Sequence, residues 1–289
     1  ATRGSFMEAL SVFLFSDFLG QTVAVWLAFL VIIVALLAFD LGFANKGDHE
    51  IGIRRSLAFS ALYIAIALIF GGYVWWSMGP KSGMDYLTGF VVEKSLALDN
   101  IFVISLIFTA FAVPRAYQHR VLFWGIVGVV VLRAIMIGLG AALISQFGWI
   151  LYVFGAFLVL TGIKMLMAGD EEPDIEKNRV VRLVRKFIPV TNELHGHRFF
   201  VKAPSQRTGR LVWTATPLFL ALVTIEIIDI VFAVDSVPAV FAITQDPFIV
   251  YTSNIFAILG LRALYFALAA AVHRFHYLKY ALALVLIVV

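Results

Sequence analysis

The sequence has 289 residues, of which 62% are hydrophobic and 14% charged, with a mean hydropathy of +0.97. A soluble chain of this length would carry about 25% charged residues, so a soluble globular domain is excluded and a polytopic membrane protein is expected. The net charge of +4 comes from basic residues placed almost wholly in short loops, which argues for membrane orientation rather than nucleic-acid binding, and the absence of cysteine removes disulfides and thiolate metal sites.

A span needs about 20 mainly apolar residues. That rule places spans at 22–43, 56–78, 86–112, 120–143, 148–168, 213–244 and 249–271, with an eighth beginning near 278 and still incomplete at Val289. The loops 44–55, 113–119, 169–212 and 272–279 hold 16 Lys and Arg, counting Arg120 at a helix start, against Arg3 and Lys81 on the other side. These four loops are therefore expected in the cytoplasm, with the N-terminus outside. Within the longest of them, Arg179, Arg182, Arg185 and Lys186 alternate with apolar residues at helical spacing, the pattern of a basic amphipathic helix on the inner leaflet.

Two acidic cassettes interrupt the apolar spans. The first is Glu93-Lys94-Ser95-Leu96-Ala97-Leu98-Asp99-Asn100; the second runs from Glu226 through Asp229 to Asp235-Ser236. A charge at the bilayer centre costs about 2.5 to 3.5 kcal/mol on the mildest scale. With Asp40 there are six such acids, whose unpaired cost of about 18 kcal/mol exceeds the net stability of an ordinary fold. They must be hydrated, paired, protonated or bound to a cation.

The cassettes form a repeat. Ala97-Leu98-Asp99-Asn100 matches Ala233-Val234-Asp235-Ser236, an acid stands six residues before each Asp, and Leu132-Arg133-Ala134-Ile135 in the next span matches Leu261-Arg262-Ala263-Leu264. The unit is three spans long, an odd number, so the second copy enters the membrane from the opposite face. The expected fold class is an all-α transmembrane bundle with an inverted repeat of three-helix units, the binding site lying between the copies. The organisation follows: two N-terminal helices at 22–79, a first repeat at 84–168, a cytoplasmic loop at 169–212 and a second repeat at 213–289.

Residues six apart on a straight helix differ by about 240° around its axis, so Glu93 and Asp99 share a face only if the helix bends. Pro238 removes a backbone hydrogen bond to Val234, and the segment 213–244 would measure about 48 Å as one helix, so a break is expected there. Asp99 and Asp235, flanked by Asn100 and Ser236, would then face each other as an oxygen-rich site. Such ligands suit Mn²⁺, Ca²⁺ or Mg²⁺ and disfavour Cu and Zn. The six histidines lie in loops or at span ends, with His195-Gly196-His197 read as a polar loop. Arg133 and Arg262 are expected to pair with the repeat acids, Lys94 to neutralise an acid or act as a tethered cation, and Glu226 and Asp40 to adjoin the path.

The motifs Glu93-Lys-Ser-Leu-Ala-Leu-Asp-Asn, Phe232-Ala-Val-Asp-Ser-Val-Pro and Thr252-Ser-Asn-Ile-Phe-Ala-Ile-Leu-Gly-Leu-Arg-Ala-Leu-Tyr-Phe strongly resemble the TerC family of bacterial inner-membrane proteins, closest to its Alx-like branch. The resemblance implies export of manganese or a related divalent ion, membership of a lysine-exporter-like superfamily and an association with tellurium resistance. It points to Glu93, Asp99, Asn100, Asp229 and Asp235 as the ion path, with Glu226 adjoining. Ile228 departs from the family, which carries Ser or Thr there. Six buried acids against Lys94, Arg133 and Arg262 leave about three negative charges; one divalent ion cancels two, and the remaining acid is expected to take a proton. The reading is a non-enzymatic exporter without a cofactor, exchanging Mn²⁺, or else Ca²⁺ or Mg²⁺, for protons in the bacterial inner membrane, with the lipid bilayer and no nucleic acid as partner. A non-transporting scaffold for metal delivery or tellurium resistance, and an amino-acid exporter, are the alternatives.

Overall fold

The computed structural model describes residues 8, 11–44, 53–167, 189–191, 193–204 and 211–268. The amphipathic segment at 179–188 and the eighth span near 278 lie outside the described residues. After a short hairpin of β1 (Asp17–Phe18) and β2 (Gln21–Thr22), the chain forms α1 (Val23–Ala44), α2 (Ile53–Met78), α3 (Pro80–Ala110), α4 (Arg115–Gln146) and α5 (Ile150–Met167). A second hairpin, β3 (Phe200–Pro204) with β4 (Leu211–Ala215), leads into α6 (Pro217–Ile243), α7 (Pro247–Leu259) and α8 (Leu261–Leu268). The architecture is an all-α membrane bundle.

Proline marks the helix starts. Pro80, Pro217 and Pro247 open α3, α6 and α7, where the missing N–H costs nothing, and Pro114 caps α4. At α7 the Asp246 carboxylate adds a cap, accepting from the backbone N–H of Phe248 at 2.9 Å and of Ile249 at 3.3 Å.

Five stretches are long and apolar enough to cross a membrane: α1, α2, α4, α6 and the joined α7–α8. The 31-residue α3 is also long enough, but carries Glu93, Lys94 and Asp99 in its middle. The large apolar side chains left exposed, such as Ile69, Trp76, Tyr152 and Leu160, belong to lipid-facing surfaces in this setting. At the other extreme, 94% of the α7–α8 apolar stretch is buried against 11% of α1, which makes α7 the axis of the bundle.

Two expectations about the sixth span are corrected. Residues 211–215 pair with 200–204 as a strand, so Trp213 belongs to the hairpin and the helix starts at Pro217. The remaining 27 residues of α6 measure about 40 Å at 1.5 Å per residue and run through Pro238 without a break. Strand accounts for only residues 213–215 of the expected span, about 4.5 Å, so α6 stays longer than the membrane core and is still unbroken. The interruption falls instead in the seventh span at Gly260, where Leu264 still donates to the Gly260 carbonyl at 3.0 Å, so the backbone hydrogen bonding continues past it.

Two apolar clusters hold the helices. In the first, Phe70 and Phe256 rings stand 4.8 Å apart and Trp26 meets Phe248 at 5.1 Å, binding α1 and α2 to α7. The second joins Ile101, Ile104 and Phe108 of α3 to Leu122 of α4 and Ala221 and Ile225 of α6. On α3 the first cluster ends at Phe90 and the second begins at Ala97; on α6 they meet between Ile225 and Ala233. The acidic cassettes occupy that boundary.

Candidate cation site between the acidic helices

Arg133 organises the boundary. Its side chain is 1% exposed and reaches from α4 into the space between α3, α6 and α7. Nη1 donates to Glu93 Oε1 at 2.6 Å, to the Ser236 hydroxyl at 2.6 Å and to Asn254 Oδ1 at 3.3 Å. Nε and Nη2 take the two oxygens of Asp229, each at 3.3 Å, as a fork. Asn100 closes the arrangement by donating to Asp229 Oδ1 at 3.4 Å. One guanidinium therefore ties together both acidic cassettes.

Helix periodicity explains the convergence. Glu93 and Asn100 are seven residues apart on α3, as are Asp229 and Ser236 on α6, so each pair differs by only about 20° around its helix. Because Asn100 meets Asp229 while Glu93 lies beside Ser236, the two helices run antiparallel. Each cassette presents an acid at one end and a neutral oxygen ligand at the other, in opposite order.

The set is incompletely satisfied. Glu93 Oε2, Asn100 Oδ1 and Asn254 Nδ2 are buried without a hydrogen-bond partner among the described residues. Next to them lies a cavity of about 30 Å³ lined by Asn100, Asp229, Gly125, Val129, Ile228 and other aliphatic side chains, with room for a water or two. Glu93, Asp229 and Arg133 together sum to one negative charge. Among the described residues no three His, Asp or Glu side chains gather around one point that could hold a metal ion, the guanidinium standing between the two acids.

The other expected residues are dispersed. The side chain of Asp99 lies outside the described residues. Asp235, expected to face Asp99 across the site, turns instead to α5, where the Thr161 hydroxyl donates to Oδ1 at 3.4 Å and Lys164 is near; its six-residue offset from Asp229 carries it around the helix. Arg262 does not pair with a cassette acid. It binds the Asp40 carboxylate on α1 and, at 3.3 Å, the Asp40 carbonyl, with the Tyr63 hydroxyl beside the same carboxylate. Among the described residues Lys94 pairs with no acid: its ammonium donates at 2.9 Å to the Ala257 carbonyl in the last turn of α7, where the helix dipole favours a cation. Glu226 packs against α4 at Gly128. His195 and His197 are exposed in the loop before β3.

Asn254 was not among the sequence candidates. The run Thr252-Ser253-Asn254, three fully buried polar residues inside an apolar helix, was the available signal. Thr252 and Ser253 bond back to their own helix, which leaves Asn254 as the one turned to Arg133.

Comparison with known proteins places the architecture. Residues 78–289 match the model of the integral membrane protein TerC family. An uncharacterized membrane protein of Myxococcus xanthus is 48% identical over 264 residues, covering 91% of this chain and 81% of the relative. One from Rickettsia bellii is 49% identical over 262 residues, covering 91% and 85%. A protein of Escherichia coli K12 named as a putative membrane-bound redox modulator, Alx, is 45% identical over 275 residues, covering 92% and 84%. No solved structure matches the chain.

Proposed function

Because the chain belongs to the TerC family of integral membrane proteins, we propose that it exports a divalent metal cation, Mn²⁺ before Ca²⁺ or Mg²⁺, in exchange for protons across the bacterial inner membrane, with its N-terminus outside. The observation that carries this reading is the all-oxygen set of Glu93, Asp229, Asn100, Ser236 and Asn254, drawn from both cassettes and gathered mid-bundle around a buried guanidinium. Carboxylate, amide and hydroxyl oxygens are hard ligands that suit these ions. In the arrangement seen, Arg133 holds the place of the cargo and keeps the two acids compensated in an apolar interior. A divalent ion entering between Glu93 and Asp229 would displace it, and protons would accompany its return.

The redox role in the name of the Escherichia coli relative has no thiol to act through here, since the sequence lacks cysteine. An amino-acid substrate would find both buried arginines already engaged by the protein's own acids. The test is Mn²⁺ flux in reconstituted vesicles, with Ca²⁺, Mg²⁺ and lysine as competitors and an imposed proton gradient. The reading expects flux accelerated by an inward proton gradient and abolished by Glu93→Gln and Asp229→Asn. Flux that ignores both substitutions, or none at all, would defeat it.

A further inference from the structure

Of the two described cassette acids that the site leaves unused, Asp235 is bonded by Thr161 of α5, and Glu226 is left. It stands one turn before Asp229 on the same face of α6, the spacing at which helical side chains are neighbours. Its carboxylate lies against the backbone at Gly128 of α4: a Cβ at that position would lie 2.2 Å from Oε1 and 2.6 Å from Oε2, so any larger residue there would move the carboxylate. Oε2 is buried without a hydrogen-bond partner among the described residues. An acid lodged in a notch made for it and left without a donor needs an account.

The register of α4 on α6 supplies one. Gly128 meets Glu226, Arg133 meets Asp229, and the Phe241 ring lies over Gly140, so the two helices run parallel and in step. Glu226 is the acid next to Asp229 on α6 in the direction of Gly128. The cavity bounded by Gly125, Val129, Ile225 and Asp229 borders this route.

We propose that the Arg133 guanidinium has two seats, one between Glu93 and Asp229 and a second between Asp229 and Glu226, and that Glu226 receives it when a cation occupies the first. The inference rests on the export reading above. It makes Glu226 a positioning residue, which acts on cargo only through Arg133. It also closes the charge balance of the loaded state, because three carboxylates, one guanidinium and one divalent ion sum to zero. Without the second seat, a bound cation would face a displaced and uncompensated arginine in an apolar interior.

A double-mutant cycle on Mn²⁺ affinity of the purified protein tests this. Glu226→Gln should weaken Mn²⁺ binding by about tenfold or more, the usual cost of losing a supporting group around a metal. In an Arg133→Gln background the same substitution should change affinity by less than about twofold, since the residue it serves is gone. An equal loss in both backgrounds would make Glu226 a direct ligand or an independent carrier and overturn the proposal, as would no loss in either. A second measurement needs no cation: labelling of Glu226 by a hydrophobic carbodiimide, read by mass spectrometry. Glu93→Gln removes the first seat's strongest partner, so the guanidinium should move to Glu226 and labelling should fall several-fold; unchanged labelling overturns the two-seat arrangement. Absence of divalent-ion binding by the unmodified protein would instead sink the export reading, and the labelling result would still decide whether Arg133 reaches Glu226.

Discussion

Arg133 and Arg262 occupy matching Leu-Arg-Ala triplets, yet they meet opposite environments. Arg133 bridges two carboxylates, a serine and an asparagine on three other helices. Among the described residues Arg262 meets a single acid, Asp40, beside Tyr63, and fastens α1 and α2 to the end of the seventh span. A one-to-one pair is closed electrostatically and makes a good joint. A guanidinium shared by two acids leaves a negative charge over and unsatisfied oxygens around it, which is what a cation site requires. Sequence equivalence thus located two arginines, and only their partners distinguish them.

Breaking each arginine should sharpen that difference. Arg133→Met strands two buried carboxylates and should cost about 3–5 kcal/mol of stability in detergent, as removal of one partner from a buried ion pair does. Added Mn²⁺ should restore part of the loss, because the ion can take the vacated place. A variant as stable as the parent, with or without Mn²⁺, would show that the two acids need no cation. Arg262→Met should cost less, about 2–3 kcal/mol, since Asp40 keeps some exposure and Tyr63 remains beside it. Combining it with Asp40→Asn should recover most of the loss and keep Mn²⁺ flux; if flux vanishes in the double variant while the fold survives, Asp40 and Arg262 belong to the transport path after all.

Gly260 tests the same joint more gently. A Cβ there would lie 3.0 Å from the Lys94 ammonium and 3.2 Å from Tyr63 Cβ. Gly260→Ala should therefore push Lys94 off the Ala257 carbonyl, at a cost of about 1 kcal/mol, measured by thermal unfolding with and without Lys94→Met. Full additivity of the two substitutions would show that the alanine acts elsewhere.

Much of this was legible in the sequence because membranes penalise charge so heavily. Apolar runs placed α1 to α5 within a few residues, and the cost of a mid-span charge singled out Glu93, Arg133 and Asp229 before any coordinates. What failed was the choice of period. The cassettes invite a six-residue reading, Glu93 to Asp99 and Asp229 to Asp235, because acid is matched to acid. A straight helix aligns seven, and seven pairs Glu93 with Asn100 and Asp229 with Ser236, the combination that meets at Arg133. The break expected at Pro238 rested on its missing N–H and on the length of 213–244, and α6 runs through that proline unbroken. Partners such as Asp40 for Arg262 were hidden for another reason: they join helices distant in sequence, and composition carries no record of which neighbours pack.

The six-residue reading still leads to the subtlest test, at Asp235. In the structure its carboxylate faces α5, bonded by Thr161 at 3.4 Å with Lys164 near, about 240° around α6 from Asp229. A residue so placed shares no hydrogen bond with Arg133, and substitutions without a shared partner are expected to change an affinity by no more than about twofold. Asp235→Asn should accordingly leave Mn²⁺ affinity within that range, whereas Asp229→Asn should weaken it by about 10- to 100-fold or more. The outcome discriminates between two pictures of α6. If Asp235→Asn is as damaging as Asp229→Asn, the helix must present both faces to the cation during the cycle, by rotating or by bending at Pro238, and the spacing of six is then the signature of a second conformation rather than a misread period. If Asp235→Asn is nearly silent, the seven-residue face is the whole of the site on this helix, and Asp235 serves to hold α5 against α6.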